Sequence, residues 1–160
     1  MVGTVHWICA SLVLLAGGLQ LAGPKGTRAH RRLGWAYAGL LLVVNATALV
    51  TYRETGSWNQ FHTLAVISLA TLLVALGGFA VVGARWWVAH AYFSGGSYLG
   101  VVLAGLFQLA THLPMRTEAV RGAWLIAALL GAWMFLWKVP RDVRGVRPIA
   151  SSRPLIRACP

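Results

Sequence analysis

The chain has 160 residues, 58% hydrophobic and only 11% charged, with a mean hydropathy of +0.69. A soluble domain carries about 25% charged residues to wet its surface, so this composition excludes an ordinary water-soluble globule. The net charge of +11 would suggest nucleic acid in a soluble protein, but here no base-reading pattern accompanies it and no nucleic-acid partner is expected.

The charges are segregated. None falls inside 2–24, 33–52, 55–84, 86–115 or 122–137. Uncharged apolar runs of this length cross a hydrocarbon layer of roughly 30 Å as helices, because a lone spanning segment must satisfy its backbone internally. The expected fold is therefore all-α: an integral membrane five-helix bundle over 1–139, with helices at about 2–21, 33–52, 61–83, 88–111 and 121–138.

Helix one carries His6 and Trp7 at its mouth and stops at Gly23-Pro24, a helix-ending pair. It lacks a positive flank before the apolar run, so it reads as a helix and not a signal peptide. Cys9 reads as a small packing residue. A basic connector with Lys25, Arg28, Arg31 and Arg32 follows, and His30 stands within it. Trp35 and Tyr37 mark the rim of helix two, and Asn45 near its middle is expected to bond a neighbouring helix.

After a short polar connector, Phe61-His62 opens helix three. A tight turn over 83–87, with Trp86 and Trp87 as an anchor, leads to helix four, which starts with His90 and carries Gly96-x-x-x-Gly100. Small residues at that spacing let a helix or a flat cofactor approach the backbone. His112 ends helix four, and helix five contains no histidine. Pro140 is expected to begin a basic, disordered tail over 140–160.

Taking connectors alternately, one side collects eleven basic residues: Lys25, Arg28, Arg31, Arg32, Arg85, Lys138, Arg141, Arg144, Arg147, Arg153 and Arg157. The other holds three, Arg53, Arg116 and Arg121, beside Glu54 and Glu118. This bias puts the N-terminus outside and the C-terminus in the cytoplasm. The expected location is the cell inner membrane, multi-pass, with anionic lipid against the basic side.

All five histidines stand at helix ends. His30 and His90 fall on the cytoplasmic side, and His6, His62 and His112 on the outer side. The 22 residues from His90 to His112 span about 33 Å at helical rise, one crossing. Each layer thus has histidines on different helices, as b-type haem requires of two facing imidazoles. His6 with His62 would hold one haem b, and His30 with His90 a second, with Gly34 leaving room beside His30 and Arg31 or Arg32 near a propionate. Such a protein would pass electrons within or across the membrane, with a quinone or a redox protein as partner. Three outer imidazoles, His6, His62 and His112, would instead suit zinc or copper. A third reading treats the histidines as interfacial polar tips and the chain as a non-catalytic subunit of a larger membrane complex. No buried carboxylate, nucleophile motif or dinucleotide fingerprint assigns an enzyme activity.

The stretch His30-Arg31-Arg32-Leu33-Gly34-Trp35-Ala36-Tyr37 resembles the His-Arg-x-Leu-Gly-x-x-Tyr signature of an uncharacterised family of small bacterial multi-pass membrane proteins. Phe61-His62 and His90-Ala-Tyr-Phe93-x-Gly-Gly-Ser97-Tyr98-Leu-Gly100 open helices three and four in that family's manner. The resemblance covers about 6–114 and implies a fold without an activity. Gln108 and His112 stand where that pattern has an acidic residue and an arginine. Layered histidines on alternate helices are also similar, more loosely, to the two-haem membrane cytochromes b, including the ascorbate-reducing type.

Overall fold

A computed structural model describes residues 2–50, 56–58, 60–82, 86–112 and 117–145. Among the described residues the chain is all-helical, with no strand. The elements are α1 Val2–Ala22, α2 Arg28–Val50, α3 Gln60–Val82, α4 Trp86–His112 and α5 Thr117–Trp133. The last runs on through a π-helical turn, Met134–Lys138, into α6 Val139–Gly145. Both α1 and α2 are long and apolar enough to cross a membrane. Residues 83–85 of the expected turn, most of the other connectors and the expected tail beyond 145 lie outside the described residues, while Trp86 and Trp87 already belong to α4.

Two boundaries differ from the sequence expectation, each for a local reason. Helix α2 begins at Arg28 and not near 33. Thr27 caps it, its hydroxyl accepting from the His30 N–H at 3.0 Å and its carbonyl from the Arg31 N–H at 3.1 Å, which supplies partners at a helix start that would otherwise lack them. Gly26 makes the preceding turn at φ +77°, a conformation that costs a residue with a Cβ more than glycine. Lys25 folds back over the end of α1 and donates to the carbonyls of Gln20, Leu21 and Gly23 at 2.7, 2.9 and 3.2 Å. The connector is thus a compact double cap, and Arg28, Arg31 and Arg32 belong to α2.

At the other end of the chain, Pro140 does not end the helix. A proline in a helix lacks an N–H and crowds the carbonyl four residues back, here that of Leu136. The π turn absorbs this conflict, since the Val139 N–H reaches back to the Met134 carbonyl and widens the turn by a residue. Residues 140–145 therefore continue as helix. Asp142 lies 2.9 Å from Lys138 and 3.7 Å from Lys25, and the Arg141 guanidinium sits 3.7 Å above the Trp137 ring. Burial pushes the Lys25 ammonium below the usual lysine range, and the Asp142 carboxylate only partly offsets this. Such part-exposed pairs contribute less than about 1 kcal/mol, but they tie α6 to the α1–α2 turn.

The first four helices form a closed ring: α1 packs on α2, α2 on α3, α3 on α4 and α4 on α1. This leaves α1 opposite α3 and α2 opposite α4. Small residues bring the helices together. The core is Val13, Ala16, Tyr37, Ala38, Leu41, Val44 and Leu72, with Cys9 and Tyr98 packed against it. Asn45 donates to the Ser68 hydroxyl at 3.1 Å and so ties α2 to α3. The Tyr37 and Ser97 hydroxyls meet at 3.1 Å across the ring. Outside the ring, α5 and α6 lie against α4, with Tyr92 stacked on Phe135 and Gly95 facing Met134 and Val139. The Gly96/Gly100 pair divides its work. A Cβ on Gly96 would meet Phe135 at 3.4 Å, whereas one on Gly100 would meet nothing within 4 Å.

Candidate functional site

That open side of α4 faces a partly open cavity of about 480 Å³ lined by α1 to α4. Its wall includes His6 and His62, from opposite helices of the ring, together with Asn45, Ser68, Gly96, Ser97, Gly100, Gly105 and Gln108. The volume falls in the range of small-molecule and cofactor sites, about 300–1,000 Å³, and a mostly apolar wall with a few polar groups is their usual character. Along α1 the lining runs from Val2 to Leu14, about 18 Å at helical rise.

His62 is 2% exposed and lies beside the Trp58 ring, centroids 5.3 Å apart. His6 is held from behind by Thr47, whose Oγ1 is 2.8 Å from Nδ1. The same hydroxyl is 2.8 Å from both the Val43 and Val44 carbonyl oxygens. A threonine hydroxyl has one proton, and those carbonyls can only accept it. When that proton goes to either carbonyl, the oxygen accepts from His6, so that Nδ1 carries the imidazole proton and Nε2 keeps its lone pair.

At the other end of the ring, His90 is fixed in the same sense. Its Nδ1–H donates to the Ala75 carbonyl at 2.8 Å, again leaving Nε2 as the lone-pair nitrogen. Histidines that ligate metals almost always have their other nitrogen anchored in this way. His30 stands within electrostatic reach of His90, Lys25 and Asp142. Its Nε2 is met by the Gln20 amide at 3.3 Å, and the same amide donates to the His30 carbonyl at 3.0 Å. A Cβ at Gly34 would come within 3.1 Å of that amide. The room that Gly34 leaves beside His30 is thus taken by Gln20. His30 and Arg32 line a separate, open cleft between α1 and α2 that does not include His90.

The sequence-predicted residues are accordingly placed as two histidines on one cavity, His6 and His62, and two at the opposite end, His30 and His90, across the α2–α4 diagonal. The side chain of His112 lies outside the described residues. Among the described residues no group of three or more His, Cys, Asp or Glu side chains is placed to hold a metal ion. Sequence reasoning missed Thr47 and the Ala75 carbonyl. The spacing of residues in one chain carries no signal for such cross-helix contacts.

Compared with known proteins, the chain matches no family model, no curated protein and no solved structure. The resemblances drawn from its sequence rest on their motifs alone.

Proposed function

We propose that the chain is a small membrane redox protein of the cytochrome b kind, holding haem between His6 and His62 in the cavity and a second haem between His30 and His90. The observation that carries this reading is the cavity itself: it has a histidine from each of two opposing helices in its wall and glycines along a third. The residues suit the group. His62 is buried, His6 offers an anchored imidazole with a free lone pair, and Gly100 leaves space for a flat ring. Haem bound between two imidazoles supplies reversible one-electron chemistry. The chain's own contribution is to fix both rings, to keep water from them with Leu41, Val44 and Ala65, and to place Arg31 and Arg32 near the His30 end. There the Gln20 amide must leave Nε2 before His30 acts as a ligand.

The same reading places five crossings in the cell inner membrane, with the His6 end outside. Leucines 15, 19, 73, 125, 129 and 136 are between 61% and 78% exposed, a surface suited to lipid tails and not to water. The eleven-to-three charge asymmetry supports the orientation. Reporter fusions at Gly56 and after Lys138 are expected to read outside and inside respectively, and the reverse pattern would overturn it. The cofactor assignment is tested by adding haemin to the detergent-purified protein. Saturable binding with a new Soret band supports it, and a chain that neither contains nor takes up haem defeats it.

A further inference from the structure

Two histidines from opposite ends of the ring are built to one plan, each with Nδ1 held 2.8 Å from an oxygen. At His90 the anchor is a backbone carbonyl, which no substitution removes. At His6 it is a side chain, and a single change deletes it. We propose that Thr47 is a positioning residue for the cavity: it locks His6 in the Nδ1–H form and presents Nε2 as a ligand nitrogen. The part that concerns haem rests on the function proposed above. The tautomer lock does not.

The argument is one of proton counting. Thr47 sits one turn beyond Val43 and Val44 on α2, and its Oγ1 lies 2.8 Å from each of their carbonyls and from His6 Nδ1. The hydroxyl proton is committed to α2's own backbone, so the oxygen lone pair that remains faces His6. A free imidazole divides its proton between two nitrogens, and the anchored one does not. The Thr47 contact also constrains the orientation of the ring, because a hydrogen bond weakens steeply away from linearity. His6 is therefore aimed from the α1 wall with its orientation set by α2, which makes α1, α2 and the ligand nitrogen one mechanical unit. Serine retains the hydroxyl and valine retains only the shape.

The experiment uses full-length protein in detergent, with His6 identified by comparison with His6→Ala. Imidazole ¹⁵N shifts are recorded at alkaline pH, where the ring is neutral, before any haem is added. Wild type is expected to show Nδ1 protonated and Nε2 bare. Thr47→Val should populate the Nε2–H form, and Thr47→Ser should restore the wild-type pattern. Helical circular dichroism on all three keeps misfolding from imitating the effect. After haemin addition, Thr47→Val should weaken binding at the cavity about 10- to 100-fold, the usual cost of losing such an anchor, and Thr47→Ser should recover it. A wild-type ring with its proton on Nε2, or a Thr47→Val ring indistinguishable from wild type, overturns the proposal. If the tautomer responds as expected and haemin does not bind, Thr47 keeps its positioning role and the haem reading alone fails.

Discussion

His6→Ala and His62→Ala are each expected to abolish the same haem centre while leaving the other largely intact. The two side chains line one cavity from opposite helices, so under the proposed reading cutting either would remove a ligand of the same pair. With a bound haem, loss of one imidazole would turn a low-spin centre high-spin or empty the site. His62 carries the greater structural risk, since it is 2% exposed and its removal leaves a void. His6 is only partly buried, and His6→Ala therefore separates ligation from packing. By the same logic His30→Ala and His90→Ala should match one another and spare the cavity centre. His112→Ala should affect neither. Visible and paramagnetic-resonance spectra of the five variants make the comparison. If His6→Ala and His62→Ala remove different centres, the pairing is wrong. If His6→Ala, His62→Ala and His112→Ala each release zinc or copper, the three-histidine alternative replaces it.

Gly17→Ala is expected to be among the most destabilising single-methyl additions to the ring. Gly17 is buried on α1, where an added Cβ would overlap the Tyr98 ring and stand 3.1 Å from Tyr37 Cε2. Neither ring retreats freely. Tyr98 donates to the Leu14 carbonyl at 3.3 Å, and Tyr37 is paired with Ser97 at 3.1 Å. Alanine gains about 1 kcal/mol over glycine in helix propensity, whereas overpacking a tight core costs about 1–3 kcal/mol, occasionally more. With two rings to displace, the upper part of that range applies, for a net loss of about 2 kcal/mol. Gly77 supplies the control, since a Cβ there meets nothing within 4 Å; Gly77→Ala should be neutral or slightly stabilising. Thermal unfolding in detergent, followed by circular dichroism, reads both. A Gly17→Ala protein as stable as Gly77→Ala would mean that the helices do not approach as closely as described.

The helical class was readable from the chain because long uncharged runs leave little choice of structure. Helix ends were less readable where charge and structure disagree. Arg28, Arg31 and Arg32 look like connector by charge, yet Thr27 caps a helix that contains them. Pro140 looks like a terminator, yet the turn at Met134–Lys138 carries the helix past it. The histidines could be sorted into layers by counting helical rise. Their anchors could not, because Thr47 is 41 residues from His6, and Ala75 is 15 from His90 on another helix. Gln20 and Gly34 show the same limit: Gly34 reads as room beside His30, and it is Gln20 that fills it and meets His30 Nε2. Periodicity reports which face of a helix is apolar, and a contact between two helices depends on both faces at once.

The most direct test of the central claim is the visible spectrum and haem content of the protein purified from membranes in mild detergent. The account predicts bound haem, a Soret band that sharpens on dithionite reduction, and resolved bands from low-spin iron held by two imidazoles. Protein that is helical and monodisperse, yet lacks haem as isolated and takes up none from excess haemin, would contradict it.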